Sequence, residues 1–384
     1  MVFGKLDATK DADFRACNRR RDMDTGSENE NGMHRPPLRI ALVGLGRAAL
    51  FDHIPALKQL PELYQITAVC DLLRERRSII EKDYPKVHTY RRVEDMLDDP
   101  DIDLVDIALP TTDHQSAALA SLSREKYTVV ESPLALTHDA ATILKAASAK
   151  ARGRLFAYTP GLFAPDFRLA QTALDNPSLG EIYEVRVRRQ DYLRRDDWQS
   201  VKRCGGGAAW YAGLEAVLQA VSLMRAQPAQ LWSELKRVAA LGDAEDFAHI
   251  VLKSRGEVTA DIEINGGHLA PFEPSFAVRG SRGAFTVAPN ATEGFYHVID
   301  PGFHFPRRRS SVRTPPLDDM HENLKVVDVP ATLPPTAEKS GPVAFWRALY
   351  ATIRTAEPFP VSLDDVVEAI RYLQLVKQAS PFSK

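Results

Sequence analysis

The sequence predicts an α/β chain in which a doubly wound parallel sheet comes first and an α+β domain with an open, largely antiparallel sheet follows. Three observations carry this. Short apolar strands alternate with amphipathic helices from Leu38 to Tyr158, a rhythm that implies βαβ units with right-handed crossovers. A glycine-rich turn joins the first of these strands to its helix. From Ile182 onward the alternation gives way to runs of strands around a single helix. The 384 residues suit two domains, divided here into a tail over 1–37, a first domain over 38–159 and a second over 160–384.

The elements follow in order. Residues 1–37 hold seven basic and seven acidic side chains and few large apolar ones. Such a segment buries too little surface to offset its ordering entropy, which predicts a disordered tail. Leu38–Val43 reads as a buried strand and Gly44-Leu45-Gly46 as the turn after it. Leu50, Ile54 and Leu57 then recur at helical spacing. Tyr64–Cys70 is a second strand ending on Asp71, followed by a helix rich in Arg and Glu. A short strand at Val87–Tyr90, a short helix at Val93–Leu97 and an apolar strand at Leu104–Leu109 come next. A helix at Ser116–Ser123 and strands at Thr128–Val130 and Leu155–Tyr158 complete the first domain.

In the second domain Ile182–Arg188 alternates apolar and charged residues, as a strand with one exposed face does. A helix over Ala208–Met224 precedes strands at Leu231–Arg237, Ala248–Leu252, Val258–Ile264, Phe276–Gly280 and Ala284–Val287. Phe303–Pro335, rich in Pro, Arg and Ser, reads as a long loop. Two helices close the chain, the second opened by a capping-box-like Ser362 and Asp365. These last helices, over 341–378, are expected to pack back on the first domain.

Composition excludes several functions. Lys plus Arg is 49 against 51 for Asp plus Glu, a net charge of -2. That balance gives no general grip on nucleic acid or an anionic membrane. No apolar run reaches the ~18 residues a membrane helix needs. Cys17, Cys70 and Cys204 lie far apart and form no C-x-x-C, so neither a disulfide framework nor a metal site is expected, and a reducing cytoplasm fits best. Arg19, Arg20 and Arg21 are followed by no apolar region, against a signal peptide.

One motif carries chemistry. Gly44-Leu45-Gly46-Arg47-Ala48-Ala49 matches G-x-G-x-x-[GA] between a strand and a helix. The first Gly permits the turn, the second lets a pyrophosphate approach the backbone, and Ala49 allows close packing of helix on strand. This predicts a Rossmann domain that binds a dinucleotide through Gly44, Gly46, Arg47 and Ala49. Asp71, at the end of the second strand, suits the adenosine ribose hydroxyls and selects NAD. Arg74, Arg76 and Arg77 just beyond it leave NADP open.

Further motifs occur in a set order: Leu109-Pro110-Thr111-Thr112-Asp113-His114, Val130-Glu131-Ser132-Pro133-Leu134-Ala135, Gly205-Gly206-Gly207, Val278-Arg279-Gly280-Ser281-Arg282-Gly283-Ala284, and Glu357-Pro358-Phe359-Pro360-Val361-Ser362. Together with the glycine motif they resemble the Gfo/Idh/MocA oxidoreductases, the relatives of glucose–fructose oxidoreductase and inositol dehydrogenase, over roughly residues 38–378. The resemblance implies NAD(P)-linked hydride transfer to or from a small sugar-like or polyol alcohol. It also implies a homo-oligomer formed through the second domain's sheet, and a nicotinamide end bordered by Pro110, Thr111, His114 and Glu131.

The chain departs from that family at its chemistry. Glu131-Ser132-Pro133 stands where E-K-P is usual, and Tyr211 and Glu215 stand where D-x-x-x-H is usual. Pro160-Gly161-Leu162-Phe163-Ala164-Pro165 replaces N-x-R-F-x-P. On one helix Tyr211 and Glu215 would share a face. Glu215 would then serve as the base, with Tyr211 and Ser132 as hydrogen-bonding partners. The alternative is a degenerate site, in a nucleotide-binding protein with a regulatory or scaffolding role. Cys204 reads as structural, and the basic run from Arg186 to Arg195 as either a meeting place for an acidic substrate or a solvated sheet face.

Overall fold

The computed structural model describes residues 4–5, 36–305 and 324–380. A two-residue strand, β1 (Gly4–Lys5), opens the chain and adds to the edge of the second sheet. Apart from it and residues 36–37, the tail segment lies outside the described residues.

The first sheet holds six parallel strands: β2 (Leu38–Val43), β3 (Tyr64–Cys70), β4 (His88–Tyr90), β5 (Leu104–Ile107), β6 (Tyr127–Val130) and β7 (Leu155–Ala157). Their order is β4-β3-β2-β5-β6-β7. Helices cover both faces, so β2 and β5 are buried almost throughout, which is why their residues form apolar runs rather than alternating patterns. The chain winds outward from β2 in one direction and from β5 in the other. The reversal between them opens a crevice at the carboxyl ends of the strands, where such sheets bind ligands. The glycine turn leads into a π-helical turn (Ala49–His53) continued by α1 (Ile54–Leu57). The other helices of this domain are α2 (Arg74–Asp83), α3 (Val93–Leu97), α4 (Thr111–Ser123) and α5 (His138–Lys150).

After α6 (Pro165–Ala173) comes a nine-stranded sheet, in the order β1-β9-β10-β11-β8-β12-β13-β14-β15. Its strands are β8 (Ile182–Gln190), β9 (Pro228–Lys236), β10 (Phe247–Ser254), β11 (Thr259–Asn265), β12 (Phe276–Gly280), β13 (Gly283–Val287), β14 (Glu293–Ile299) and β15 (Val326–Thr332). All neighbours pair antiparallel except β11 with β8. One face is apolar, with Ala248, Ile250, Leu252, Ala260, Ile262 and Ile264 buried in alternation. The other carries His249, Asp261 and Glu263, the period-two pattern of a half-covered sheet.

Two expectations need correction. The loop expected over Phe303–Pro335 contains β15, hidden by polar and Pro residues that an edge strand tolerates, and β14, also not expected, precedes it. Residues 306–323 of that loop lie outside the described residues. The helix expected over Ala208–Met224 is two helices, α7 (Ala208–Tyr211) and α8 (Gly213–Met224), parted at Ala212, whose φ of -127° is not helical.

The closing helices are α9 (Gly341–Thr355) and α10 (Leu363–Ala379). Phe345, Trp346 and Leu349 of α9 are fully buried among Leu38, Ile40, Tyr64 and Phe156 of the first domain. The Tyr64 hydroxyl donates to the Trp346 carbonyl at 2.6 Å. Ser362 caps α10 by accepting the Asp365 N–H at 3.0 Å. Among the described residues no helix is long and apolar enough to cross a membrane.

Candidate active site

The glycine turn is wedged between two strand ends. Gly44 has φ +87°, and its N–H donates to the Cys70 carbonyl at 2.8 Å. A β-carbon there would lie 2.6 Å from the Ala108 carbonyl oxygen, so only glycine fits. At Gly46 a β-carbon would meet nothing within 4 Å, so the space above the loop is open. Ala49 is fully buried, while Arg47 is exposed at the start of the turn with its guanidinium 5.9 Å from the Phe51 ring centre.

Asp71 closes this end. Its Oδ2 accepts the Leu45 N–H at 2.9 Å and its Oδ1 the Leu73 N–H at 2.8 Å. Each oxygen keeps a lone pair for a hydroxyl donor. Arg76 Nη1 lies 3.6 Å from Oδ2, and Arg77 donates to the Asp71 carbonyl at 2.5 Å. Open space over Gly46 beside a carboxylate at a strand end fits a dinucleotide, with the loop holding the pyrophosphate and Asp71 the ribose. Removing the carboxylate while keeping Arg76 is expected to raise the NADPH-to-NADH affinity ratio of Asp71→Ser by roughly 10- to 100-fold, read by fluorescence titration.

At the other end of the crevice six polar groups from five segments converge. Asp52 and His53 come from the π-helical turn, Asp106 from β5, Glu131 from the loop after β6, Tyr158 from the end of β7, and Glu215 from α8. His53 is fully buried between carboxylates, its Nδ1 2.7 Å from Asp106 Oδ2 and its Nε2 2.6 Å from Glu131 Oε2. Burial disfavours charge on the ring, but Asp106 and Glu131 outweigh it and hold the imidazolium well above its ordinary range. The Tyr158 ring packs against His53 with centres 3.9 Å apart and planes tilted by 33°, and its hydroxyl donates to Asp52 at 3.1 Å. Burial pushes the Asp52 carboxyl up, against the pull of His53.

Glu215 approaches from the second domain. Its Oε1 accepts the Gly161 N–H at 2.9 Å. A β-carbon on Gly161 would lie 2.6 Å from Glu215 Oε2, so a larger residue there would push the carboxylate aside. One helical turn on, Gln219 donates to the Gly161 carbonyl at 2.7 Å and accepts from Arg189. Burial pushes the Glu215 carboxyl up to about 7, Gly161 and Arg189 oppose this, and Glu131 and Asp52 reinforce it. A carboxyl with that value exchanges protons at neutral pH, as a general acid or base must.

The structure therefore brings Glu215 into the field of Glu131. Ser132, next in the chain, has a buried hydroxyl with no hydrogen-bond partner among the described residues. Tyr211 does not share Glu215's face, because the break at Ala212 turns it elsewhere. Arg195 lies over its ring at 4.8 Å, and burial pushes its hydroxyl up to about 12. Pro110 and Thr111 begin α4 beside the crevice. His114 is a correction: it is fully buried and both nitrogens are taken, Nδ1 by the Pro133 carbonyl at 2.9 Å and Nε2 by the Leu109 carbonyl at 2.8 Å. It ties two loops together and offers no nitrogen to a ligand. In the basic run, Arg188 pairs with Asp261 at 2.9 Å on the sheet face, while Arg189 turns toward Glu215.

His53, Asp106 and Asp52 escaped the sequence reading. The signal was present: Asp106 interrupts an apolar parallel strand and His53 an apolar helix stripe, and polar groups so placed need partners.

The comparisons agree with the fold. Residues 38–159 match the model of an oxidoreductase family with an NAD-binding Rossmann fold, and 167–286 match the C-terminal domain of the same family. The chain belongs to the Gfo/Idh/MocA oxidoreductase family. An uncharacterized oxidoreductase of Schizosaccharomyces pombe is 24% identical over 91% of this chain and 98% of its own length. The scyllo-inositol 2-dehydrogenase (NADP(+)) of Bacillus subtilis is 20% identical over 89% of this chain and 94% of its own. A 3-ketoreductase from Actinomadura kijaniata, solved with NADP, shares the fold, with a TM-score of 0.71 and 19% identity over 90% of this chain and 98% of that one. As a Gfo/Idh/MocA member the chain is an oxidoreductase with an NAD(P)-binding domain.

Proposed function

We propose that the chain transfers hydride to or from a sugar-like or polyol alcohol, with Glu215 as the proton-exchanging group. The observation that carries this is the Glu215 carboxyl, raised to about 7 at the crevice where the two domains meet. When bound, the nicotinamide supplies the hydride acceptor or donor. Gly44, Gly46, Arg47 and Ala49 hold the pyrophosphate, and Asp71 holds the ribose and favours NAD. Glu215 takes the hydroxyl proton on oxidation and returns it on reduction. Ser132, its hydroxyl without another partner among the described residues, orients the reacting oxygen. Gly161 and Gln219 keep Glu215 in place. The dehydrogenase and ketoreductase relatives support the alcohol–carbonyl class. The half-covered sheet supports assembly with further copies, and the thiols of Cys70 and Cys204, both free, fit a reducing cytoplasm.

The test is a titration with NADH and with NADPH, read by tryptophan quenching, followed by a screen of inositols and sugars. Tighter binding of NADH and turnover of a polyol is the expected result. Failure to bind either cofactor would overturn the reading.

A further inference from the structure

Asp106, His53 and Glu131 form a chain of two short hydrogen bonds, 2.7 and 2.6 Å. A neutral imidazole can donate from one nitrogen only. Each contact joins a ring nitrogen to a carboxylate oxygen, so each needs a proton. The resting chain is then two carboxylates (-2) and one imidazolium (+1), a net charge of -1.

Its inner end is closed. Asp106 is fully buried in β5, and its Oδ1 has no partner among the described residues. Tyr158 and Trp346 pack on the His53 ring. The chain therefore leads no proton inward; it fixes a charge in place. Its outer end is Glu131, with a quarter of its side chain exposed. Glu131 follows β6, on the far side of the β2/β5 reversal from Asp71. With Asp71 at the adenosine end, a dinucleotide that spans the reversal has its nicotinamide half over β5 and β6. That ring is cationic when oxidised and neutral when reduced.

We propose that Asp106 and His53 are positioning residues that hold Glu131 and one negative charge at the nicotinamide end, tilting affinity toward the oxidised cofactor. The proposal rests on the cofactor reading above. Asp52 and Glu215 face the same end and add to its field when ionised, and Arg189 opposes them from β8. Hydride transfer turns the cationic ring into a neutral one, so a charge set here weighs on both the direction of reaction and the release of the reduced product.

Asp106→Asn tests this, because the amide oxygen can still accept from Nδ1 while the net charge of the chain goes from -1 to 0. Dissociation constants for both cofactor forms are measured by calorimetry on the full chain. The expected result is roughly 10-fold weaker binding of the oxidised form and less than about 2-fold change for the reduced form. Glu131→Gln should reproduce that loss, and the double variant should add nothing to it, because with neither carboxylate present the buried ring gives up its proton and the net charge is again 0. An unchanged ratio in folded Asp106→Asn overturns the proposal. Should that variant not fold, an unchanged ratio in Glu131→Gln does the same. Proton NMR of the cofactor-free protein gives an independent readout: two low-field imidazolium N–H signals are expected, both lost in His53→Gln, and their absence from the wild type also overturns it. If the wild type binds neither cofactor form, the functional reading falls and the proposal with it. If it binds both and the ratio does not move, only the proposal falls.

Discussion

Glu215→Gln is expected to lower turnover by about 10²- to 10⁴-fold and at the same time to stabilise the protein above pH 7. The two effects have one cause. The Glu215 carboxyl rises from 4.5 to about 7 because it is buried beside Glu131 and Asp52. Its folded value lies above its unfolded one, so the fold favours the protonated form. Its contribution to stability is complete below about pH 4 and is lost as the pH rises through 7. Two and a half units at 1.36 kcal/mol each set an upper bound of about 3.4 kcal/mol. Glutamine cannot ionise, yet its amide oxygen can still accept the Gly161 N–H, so the variant escapes that cost with its packing intact. Urea unfolding at pH 4 and pH 8 should show little difference from wild type at the lower pH and a gain at the higher. The kinetic signs follow from the same value. Oxidation needs the ionised base, so wild-type turnover should rise with pH to a plateau above 7. Reduction needs the acid and should fall above 7. In Glu215→Gln the step near 7 should vanish from both profiles. A retained step at 7 would assign the proton transfer to another group.

The first domain was legible because its signals are local. A buried parallel strand must be apolar on both faces, so Leu38–Val43 and Leu104–Ile107 announce themselves, and the turn at Gly44 needs a residue type that the sequence displays. The polar chemistry was legible only in part. Glu131, Ser132 and Glu215 stand at positions marked by neighbouring motifs. Their distances to one another depend on how α8 meets the loop at Gly161, which no spacing encodes. Tyr211 was misplaced for a related reason. Its four-residue separation from Glu215 has meaning only on an unbroken helix, and nothing in the flanking Ala209 or Ala212 announces the break. His53 and Asp106 sit about fifty residues apart and look like isolated exceptions in apolar runs. Only the fold shows that each is the other's explanation. β15 was missed because an edge strand is paired on one side and so tolerates Pro330 and the exposed Asp328.

The glycine turn separates stability from ligand binding, and its two glycines should fail in different ways. In Gly44→Ala the new methyl group would sit 2.6 Å from the Ala108 carbonyl oxygen and 2.9 Å from its carbon, both backbone atoms of the adjoining strand end. The residue would also have to keep φ near +87°, which L-residues other than glycine rarely adopt. Neither side can give way without moving β5, which lies at the centre of the sheet. The expected loss is about 2–4 kcal/mol, measured by urea unfolding, with cofactor affinity falling as the turn is displaced. In Gly46→Ala the methyl group meets nothing within 4 Å. Stability should stay within about 0.5 kcal/mol of wild type. Affinity for NADH should nevertheless fall by roughly 10-fold or more, because the added carbon occupies the space through which a pyrophosphate would reach the backbone. That contrast tests whether the crevice is a working cofactor site or only a retained turn. A stable Gly46→Ala protein that binds NADH as tightly as wild type would mean that the open space over Gly46 is not where the cofactor lies.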